Sequence, residues 1–211
     1  MKKVNTKHDF NSAMIGIILA DGSMSKENIL YIRHGGKQLS YVDEKVEYLS
    51  KYITPKSLRE SVDKKGYKYR YAYYNTDKLK YLYKKIYKDG KKKLTNKILN
   101  RFTPITLAFI YMDDGCLSLR KDKKNNCIKS REIHLNVQSF TVEEANNLKN
   151  LLLNKFGIDF HITLDKGNPR LWCNTKNTIK FLKIVAPIVK EFPTMHYKLD
   201  LKYKVKPISF L

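Results

Sequence analysis

Met14-Ile15-Gly16-Ile17-Ile18-Leu19-Ala20-Asp21-Gly22 is answered 93 residues later by Leu107-Ala108-Phe109-Ile110-Tyr111-Met112-Asp113-Asp114-Gly115. Each is an apolar stretch of about two helical turns that ends in Asp-Gly. Residues 14–20 and 107–112 are apolar on every side, so both helices belong in the interior rather than on an amphipathic surface. Small residues at Gly16, Ala20 and Ala108 let two such helices approach closely. The natural partner of each is the other, around an approximate two-fold axis. Pro104 suits the first turn of the second helix, where its missing N–H costs nothing, and Thr103 is the N-cap candidate.

Further parallels follow in the same order. Gln38, Val42 and Glu44 recur as Gln138, Val142 and Glu144; Leu79-Lys80-Tyr81-Leu82 recurs as Ile179-Lys180-Phe181-Leu182; Lys93-Leu94 recurs as Lys198-Leu199. Several ordered matches mark a duplicated unit that reads helix, strands, helix, strands, helix. In the first half, strands are expected over 28–34 and 67–75 and helices over 42–52 and 77–87. In the second, strands are expected over 132–138, 160–164 and 170–173. Helices are expected over 142–156 and 177–190, with Pro187 ending or kinking the last. Residues 88–103, with Asp89-Gly90 and three consecutive lysines, read as the connection. The halves then run 1–90 and 104–211, with 91–103 between them. The basic stretch 120–130 reads as an exposed loop.

The chain has 211 residues and 42 Lys+Arg against 20 Asp+Glu, a net charge of +22. A hydrophobic fraction of 42% is enough for a real core, so the charge is not that of a disordered tail. Of the cations 35 are Lys and 7 are Arg, and Asn, Ile and Tyr also abound, as an AT-rich coding sequence dictates. That bias explains Lys over Arg but not the shortage of acids. Such a charge is self-repulsive unless a polyanion neutralises it, which makes nucleic acid the leading partner, bound in a strongly salt-dependent way. No apolar run approaches the roughly 18–20 residues needed to span a bilayer, and no secretory leader is expected at the N-terminus. Cys116, Cys127 and Cys173 are odd in number and lack C-x-x-C spacing, which speaks against a disulfide framework or a zinc site. An intracellular setting is expected, in an organelle such as the mitochondrion or in the cytoplasm of a bacterium or its phage.

Asp21 and Asp114 fall at equivalent helix ends. A carboxylate there faces the negative end of the helix dipole, and two converging acids repel. An isolated Asp-Gly would merely begin a turn, with Gly22 and Gly115 supplying a left-handed helix end. Its duplication on two buried helices favours paired hard-oxygen ligands for a divalent cation such as Mg²⁺, with phosphate oxygens completing the shell. Phosphodiester hydrolysis is the chemistry that follows.

At these residues the sequence resembles the LAGLIDADG homing endonucleases, in the single-chain, two-motif branch typified by the omega-intron endonuclease, whose second motif also ends M-D-D-G. The likeness extends to Leu135-Asn136-Val137-Gln138-Ser139-Phe140-Thr141 and Met195-His196-Tyr197-Lys198-Leu199, and so covers nearly the whole chain. It implies an α+β fold: a monomeric pseudo-two-fold αββαββα repeat whose two antiparallel sheets form a concave saddle over the DNA major groove. It carries the family's metal-binding acids onto Asp21 and Asp114 and backbone carbonyl ligands onto Ala20 and Asp113. The Asp113 carboxylate is then the surplus acid. Basic residues near the scissile phosphates map to Lys198 and Lys93, although the run Lys91-Lys92-Lys93 leaves that register open by one or two positions. Mg²⁺, with Mn²⁺ as a substitute, is the implied cofactor. The implied reaction cuts both strands of a long duplex site across the minor groove, leaving four-base 3′ overhangs. Phe109 departs from the pattern by standing where the first copy has Gly16, which puts equal helix packing in doubt but spares both acids.

For the DNA surface, the stretch Tyr67-Lys68-Tyr69-Arg70-Tyr71 places Lys68 and Arg70 on one strand face, read either as facing the groove or as a solvated edge. His134, Asn136 and Gln138, with Glu132, form a polar face opposite Ile133, Leu135 and Val137. Arg33, with Tyr31, serves likewise in the first half, and Gln38 and Arg170 complete the set of base or phosphate contacts. Lys121 and Lys123 are expected on phosphates, giving affinity without sequence information. The histidines, His34 included, lack metal-ligand spacing and are assigned to the surface or to DNA; Trp172 is assigned to the core. The leading function is a site-specific DNA endonuclease encoded in a mobile intron. The alternatives are an RNA maturase assisting group I intron splicing, which makes intron RNA a second partner, and a non-cleaving DNA binder. No membrane partner is expected.

Overall fold

The computed structural model describes residues 4–121 and 128–199. Helix α1 (Lys7–Leu19) starts at Thr6, whose hydroxyl accepts the Asp9 N–H at 3.0 Å. It is followed by β1 (Ser23–Met24), β2 (Ile29–Gly35), α2 (Leu39–Leu49), β3 (Ser57–Val62), β4 (Lys68–Asn75) and α3 (Lys80–Ile86). A short hairpin, β5 (Tyr87–Lys88) and β6 (Lys91–Lys92), and a helical turn α4 (Asn96–Leu99) then lead across. The second half repeats the order: α5 (Pro104–Asp114), β7 (Gly115–Lys121), β8 (Ile128–Asn136), α6 (Val142–Phe156), β9 (His161–Asp165), β10 (Asn168–Cys173) and α7 (Thr175–Val189). A 3-10 segment, Pro193–Leu199, closes the described chain.

Both halves are αββαββα, and both sheets are antiparallel with matching strand order, β1-β2-β4-β3 and β7-β8-β10-β9. The motif helices pair at the centre, as their apolar composition requires. Residues Ala13 to Leu19 of α1 and Thr106 to Met112 of α5 are buried. A Cβ on Gly16 would lie 2.7 Å from the Thr106 carbonyl oxygen and 2.8 Å from the Phe109 Cβ, so the helices touch backbone to backbone there. The Thr106 hydroxyl crosses to the Ser12 carbonyl at 3.0 Å. Phe109 fits because Gly16 lies opposite; its ring packs edge-on against Tyr48 and Phe192. Thr103 and Pro104 start α5 as expected, with Thr106 completing a capping box.

The recurring Glu44 and Glu144 each reach into the other half. Glu44 Oε1 accepts from the Thr194 N–H and hydroxyl at 3.1 and 2.7 Å, and Glu144 Oε1 accepts from the Leu94 N–H at 3.0 Å. Each grips a segment that carries a lysine to the centre.

Several elements differ from the sequence expectation. Strands β1, β3 and β7 are additional to it. β3 (SLRESV) is half-exposed on both faces, and β7 follows α5 without a turn. The stretch 120–130 is strand at both ends, since β7 reaches Lys121 and β8 begins at Ile128; residues 122–127 lie outside the described residues. Gln138 lies beyond β8, which ends at Asn136. α7 runs two residues past Pro187, which its last turn accommodates. The connection over 88–103 holds a hairpin whose Asp89 and Gly90 have φ of 52° and 72°, and the boundary expected at residue 90 falls in that turn. Gly22 and Gly115 are not left-handed. Gly115 has φ −87°, and a Cβ on it would overlap the Tyr111 ring and carbonyl; on Gly22 it would stand 2.8 Å from the Ile17 carbonyl oxygen. These glycines permit close passage over the preceding helix turn.

Candidate active site and nucleic-acid interface

The paired helices deliver Asp21 and Asp114 to one place. Asp21 follows Ala20, the C-cap of α1, with its side chain 40% exposed, and Asp114 is the last residue of α5. Burial, then the charge of Asp113, raises the Asp21 carboxyl above its usual range. Burial, then the charges of Asp21 and Asp113, pushes the Asp114 carboxyl to about 7. Hard carboxylate oxygens that repel one another at a half-buried site are a donor set that a divalent cation relieves, so the residues fit such an ion.

A lysine stands over each helix end. The Lys92 ammonium donates to the Ala20 carbonyl at 2.5 Å, and the Lys198 ammonium donates to the carbonyls of Tyr111, Met112 and Gly115 at 3.1, 2.5 and 2.8 Å. Cations are favoured at this end of the helix dipole. Burial lowers both ammonium pKa values, while the nearby aspartates oppose that shift. The first-half lysine brought to the acids is therefore Lys92. The Lys93 charge acts on Glu144 instead, whose carboxyl is lowered, against the opposing effect of burial, by hydrogen bonds from the Thr141 and Leu94 N–H groups and to a lesser degree by Lys93. The Ala20 carbonyl, expected as a metal ligand, is occupied by Lys92.

Asp113 is not a surplus acid. Its side chain is 0% exposed and accepts the equally buried Lys45 ammonium on both oxygens, at 2.8 and 2.9 Å. The same ammonium lies 2.9 Å from His34 Nε2. His34 is buried rather than on the surface, and burial followed by the Lys45 charge lowers its pKa to about 4, so the ring is neutral. Its Nδ1 lies 3.7 Å from Asp21 Oδ2. Asp21, His34 and Asp113 thus cluster with ligand atoms within 4.8 Å of one another, but Lys45 already supplies the cation for Asp113 and His34.

The sheets carry the interface. On the first, register aligns Ser23, Tyr31, Tyr73 and Ser57 in one cross-strand row, Arg33, Tyr71 and Arg59 in the next, then Tyr69 and Ser61. These residues and Asp21 line an open groove of about 940 Å³ that begins at the acid. Arg33 rests over the Tyr69 ring at 4.9 Å. Arg59 shares this face, and sequence reasoning misses it because it misses β3. Arg70 lies on the opposite face, bound to Asp43 of α2 at 2.7 Å and to Glu60 at 3.5 Å, and Lys68 shares its strand parity. The groove-facing residues of β4 are therefore the tyrosines. Gln38 sits off the sheet, donating to the Tyr197 hydroxyl at 3.1 Å.

On the second sheet, His134 aligns with Cys116, Trp172 and His161, and Asn136 with Arg170 and Thr163, on the face opposite buried Ile133, Leu135 and Leu171. Trp172 is on this face, its ring 4.7 Å from that of His161, and not in the core. Glu132 is held by Arg120 at 3.2 Å and lies 3.7 Å from His134. Gln138 reaches Asp165 at 3.4 Å. Lys121 ends β7, and Lys123 lies outside the described residues.

Residues 11–181 match the LAGLIDADG DNA endonuclease family. Over 94% of this chain and 88% of the other, the fold is similar to the homing endonuclease I-WcaI bound to its DNA recognition sequence, with TM-score 0.75 and 25% identity. A point variant of I-DmoI in complex with its target DNA in the presence of Mg shares the fold at TM-score 0.52 and 15% identity, over 85% of this chain and 96% of that one. Among curated proteins, the chain is 28% identical over 203 residues to a protein named RecA from Mycolicibacterium chitae. It is 30% identical over 198 residues to one from Mycobacterium gastri. These alignments cover 90% and 88% of the chain but 46% of each relative, so the chain spans about half the length of the curated relatives it matches. With its two Asp-Gly motif helices, duplicated sheets and matching family profile, the chain belongs to the LAGLIDADG DNA endonuclease family.

Proposed function

We propose that the chain is a site-specific, double-strand DNA endonuclease acting as a monomer on a long duplex site. The observation that carries this reading is the presence in one chain of two helix-end carboxylates, Asp21 and Asp114, each beside a lysine, Lys92 and Lys198. Two reaction centres suit two antiparallel strands. The sheets position the duplex: Arg33, Arg59, Asn136 and Arg170 offer donors to base edges, and the net charge of +22 binds phosphates. Mg²⁺, with Mn²⁺ as a substitute, would be held by Asp21 and Asp114 and would supply charge neutralisation at phosphorus and a more acidic water. Lys92 and Lys198 are placed to stabilise charge on the phosphate oxygens. By resemblance, the cut spans the minor groove and leaves four-base 3′ overhangs.

The encoding element is read as a mobile intron. The RecA-named relatives, which hold the matched segment within a longer chain, favour an in-frame insertion as the second form of that reading.

The test is cleavage of a deep pool of randomised duplex DNA with Mg²⁺, with EDTA, Asp21→Asn and Asp114→Asn in parallel. Metal-dependent ends that share a long site and carry four-base 3′ overhangs, absent in both variants, are the expected result. Each substitution should cost ~10³-fold in rate, the loss of several kcal/mol of charge stabilisation. Folded protein that yields no cuts would overturn the enzyme reading in favour of a binder of DNA or intron RNA.

A further inference from the structure

We propose that His34 is a positioning residue for Asp21, held in that role by Lys45 and Asp113, and that this device serves only one of the two reaction centres. The inference rests on the endonuclease reading above.

An ammonium has three protons, and that of Lys45 has three acceptors: both Asp113 oxygens at 2.8 and 2.9 Å and His34 Nε2 at 2.9 Å. With Nε2 accepting, the imidazole proton sits on Nδ1, the atom 3.7 Å from Asp21 Oδ2. The tautomer is thus fixed by a buried ion pair and puts the N–H on the ring nitrogen nearest Asp21, at a separation longer than a hydrogen bond that a small shift of the half-exposed carboxylate would close. The Gln38 side chain is the ring's other hydrogen-bond partner. A ligating carboxylate held by an outer hydrogen-bond donor keeps its free oxygen aimed at the reacting phosphate. The ring is packed in place: it is buried, the Tyr41 ring lies 4.8 Å from it and Lys45 lies over that Tyr41 ring at 4.2 Å.

The equivalent positions around Asp114 lack the device. The buried positions Leu30, Ile32 and His34 along β2 correspond to Ile133, Leu135 and Val137, and Glu44-Lys45 corresponds to Glu144-Ala145. The counterpart of Asp113 is Ala20. Three linked polar residues, His34 and Lys45 of the first half with Asp113 of the second, therefore answer to Val137, Ala145 and Ala20, and Val137 takes the repeat position relative to Asp114 that His34 takes relative to Asp21.

The experiment uses the full chain and a supercoiled plasmid that carries one duplex site selected from the randomised pool by binding. It compares wild type, His34→Val, His34→Asn and the triple variant His34→Val/Lys45→Ala/Asp113→Ala, which gives these three positions the residues of their repeat counterparts. In His34→Val, conversion of nicked circle to linear DNA should slow about tenfold or more, with the nicks sequenced to one strand. His34→Asn, whose amide nitrogen occupies the place of Nδ1, should restore both rate and strand balance. The triple variant keeps no buried charge unpaired, and with the wild-type melting temperature it should show the same one-strand bias. Nicks divided evenly between strands, equal behaviour of the Val and Asn variants, or wild-type proportions in the folded triple variant would each overturn the inference alone. Wild-type protein that binds the site and cuts neither strand would overturn the endonuclease reading and the inference with it.

Discussion

The two motif helices end in the same Asp-Gly but in unlike company. At the end of α5 stand Asp113, Lys45 and His34; at the end of α1 stands Ala20, with Ala145 and Val137 at the equivalent neighbouring positions. The groove faces differ as well. The first sheet offers Tyr31, Tyr69, Tyr71 and Tyr73 around two arginines, and the second offers a mixed set of His134, Trp172, Asn136 and Arg170. What both halves keep is an acid, a lysine and a strand order. The chemistry on two antiparallel strands is the same, whereas the sequences of two half-sites need not be. Where the halves diverge inside the protein they diverge as a set, because a buried charge is tolerable only with its partner.

The largest expected effect is on that set. Lys45→Met alone should destabilise the fold by ~3–5 kcal/mol by leaving the Asp113 carboxylate buried and unpaired, whereas the triple replacement should cost much less; urea unfolding of both compares them. Gly16→Ala should cost ~1–3 kcal/mol through overpacking at the helix crossing, read in the same assay, because its Cβ would press on the Thr106 carbonyl. Ala108→Gly, on the partner helix, brings no such crowding.

Next come the faces. Arg33→Ala and Arg59→Ala should each relax base preference at one position, by ~1–2 kcal/mol in a binding-site selection. Arg70→Ala should leave preference unchanged, since Arg70 serves Asp43 and Glu60. The smallest effect separates the acids. The folded Asp114 carboxyl is raised to about 7 from 3.8, so the native state holds a proton that the unfolded chain releases earlier. Metal-free stability should therefore fall as pH rises from ~4 to ~7 and level off above that. Asp114→Asn should flatten this slope in thermal melts taken in EDTA, and its persistence in that variant would sink the assignment.

The repeat is legible in the sequence because its signal is local: apolar runs, Asp-Gly endings and a Thr-Pro start. α6 matches its expected bounds to the residue, since Thr141 and Glu144 form a capping box and Gly157 ends it at φ 66°. Strand β3 is invisible because neither face of Ser57–Val62 is deeply buried, so no alternation marks it. Face assignment fails on β4 for a related reason. Lys68 and Arg70 share a parity, but only the position of α2 shows that Asp43 waits on that side. The Lys45–Asp113–His34 cluster joins residues 68 and 11 positions apart, and no spacing rule finds it. Lys92 rather than Lys93 follows from the path of the β5–β6 hairpin, which three consecutive lysines cannot reveal.

At the helix crossing, the Gly16 backbone meets the Phe109 Cβ, its own counterpart in the repeat. In an assembly of two identical subunits, a residue on the axis meets a copy of itself, so glycine would face glycine and phenylalanine would face phenylalanine. Large against small becomes available once the two copies can mutate separately, as they can within this single polypeptide. The Gly16–Phe109 contact is thus a trace of that separate divergence in the core: one copy has given up its side chain where the other has gained one.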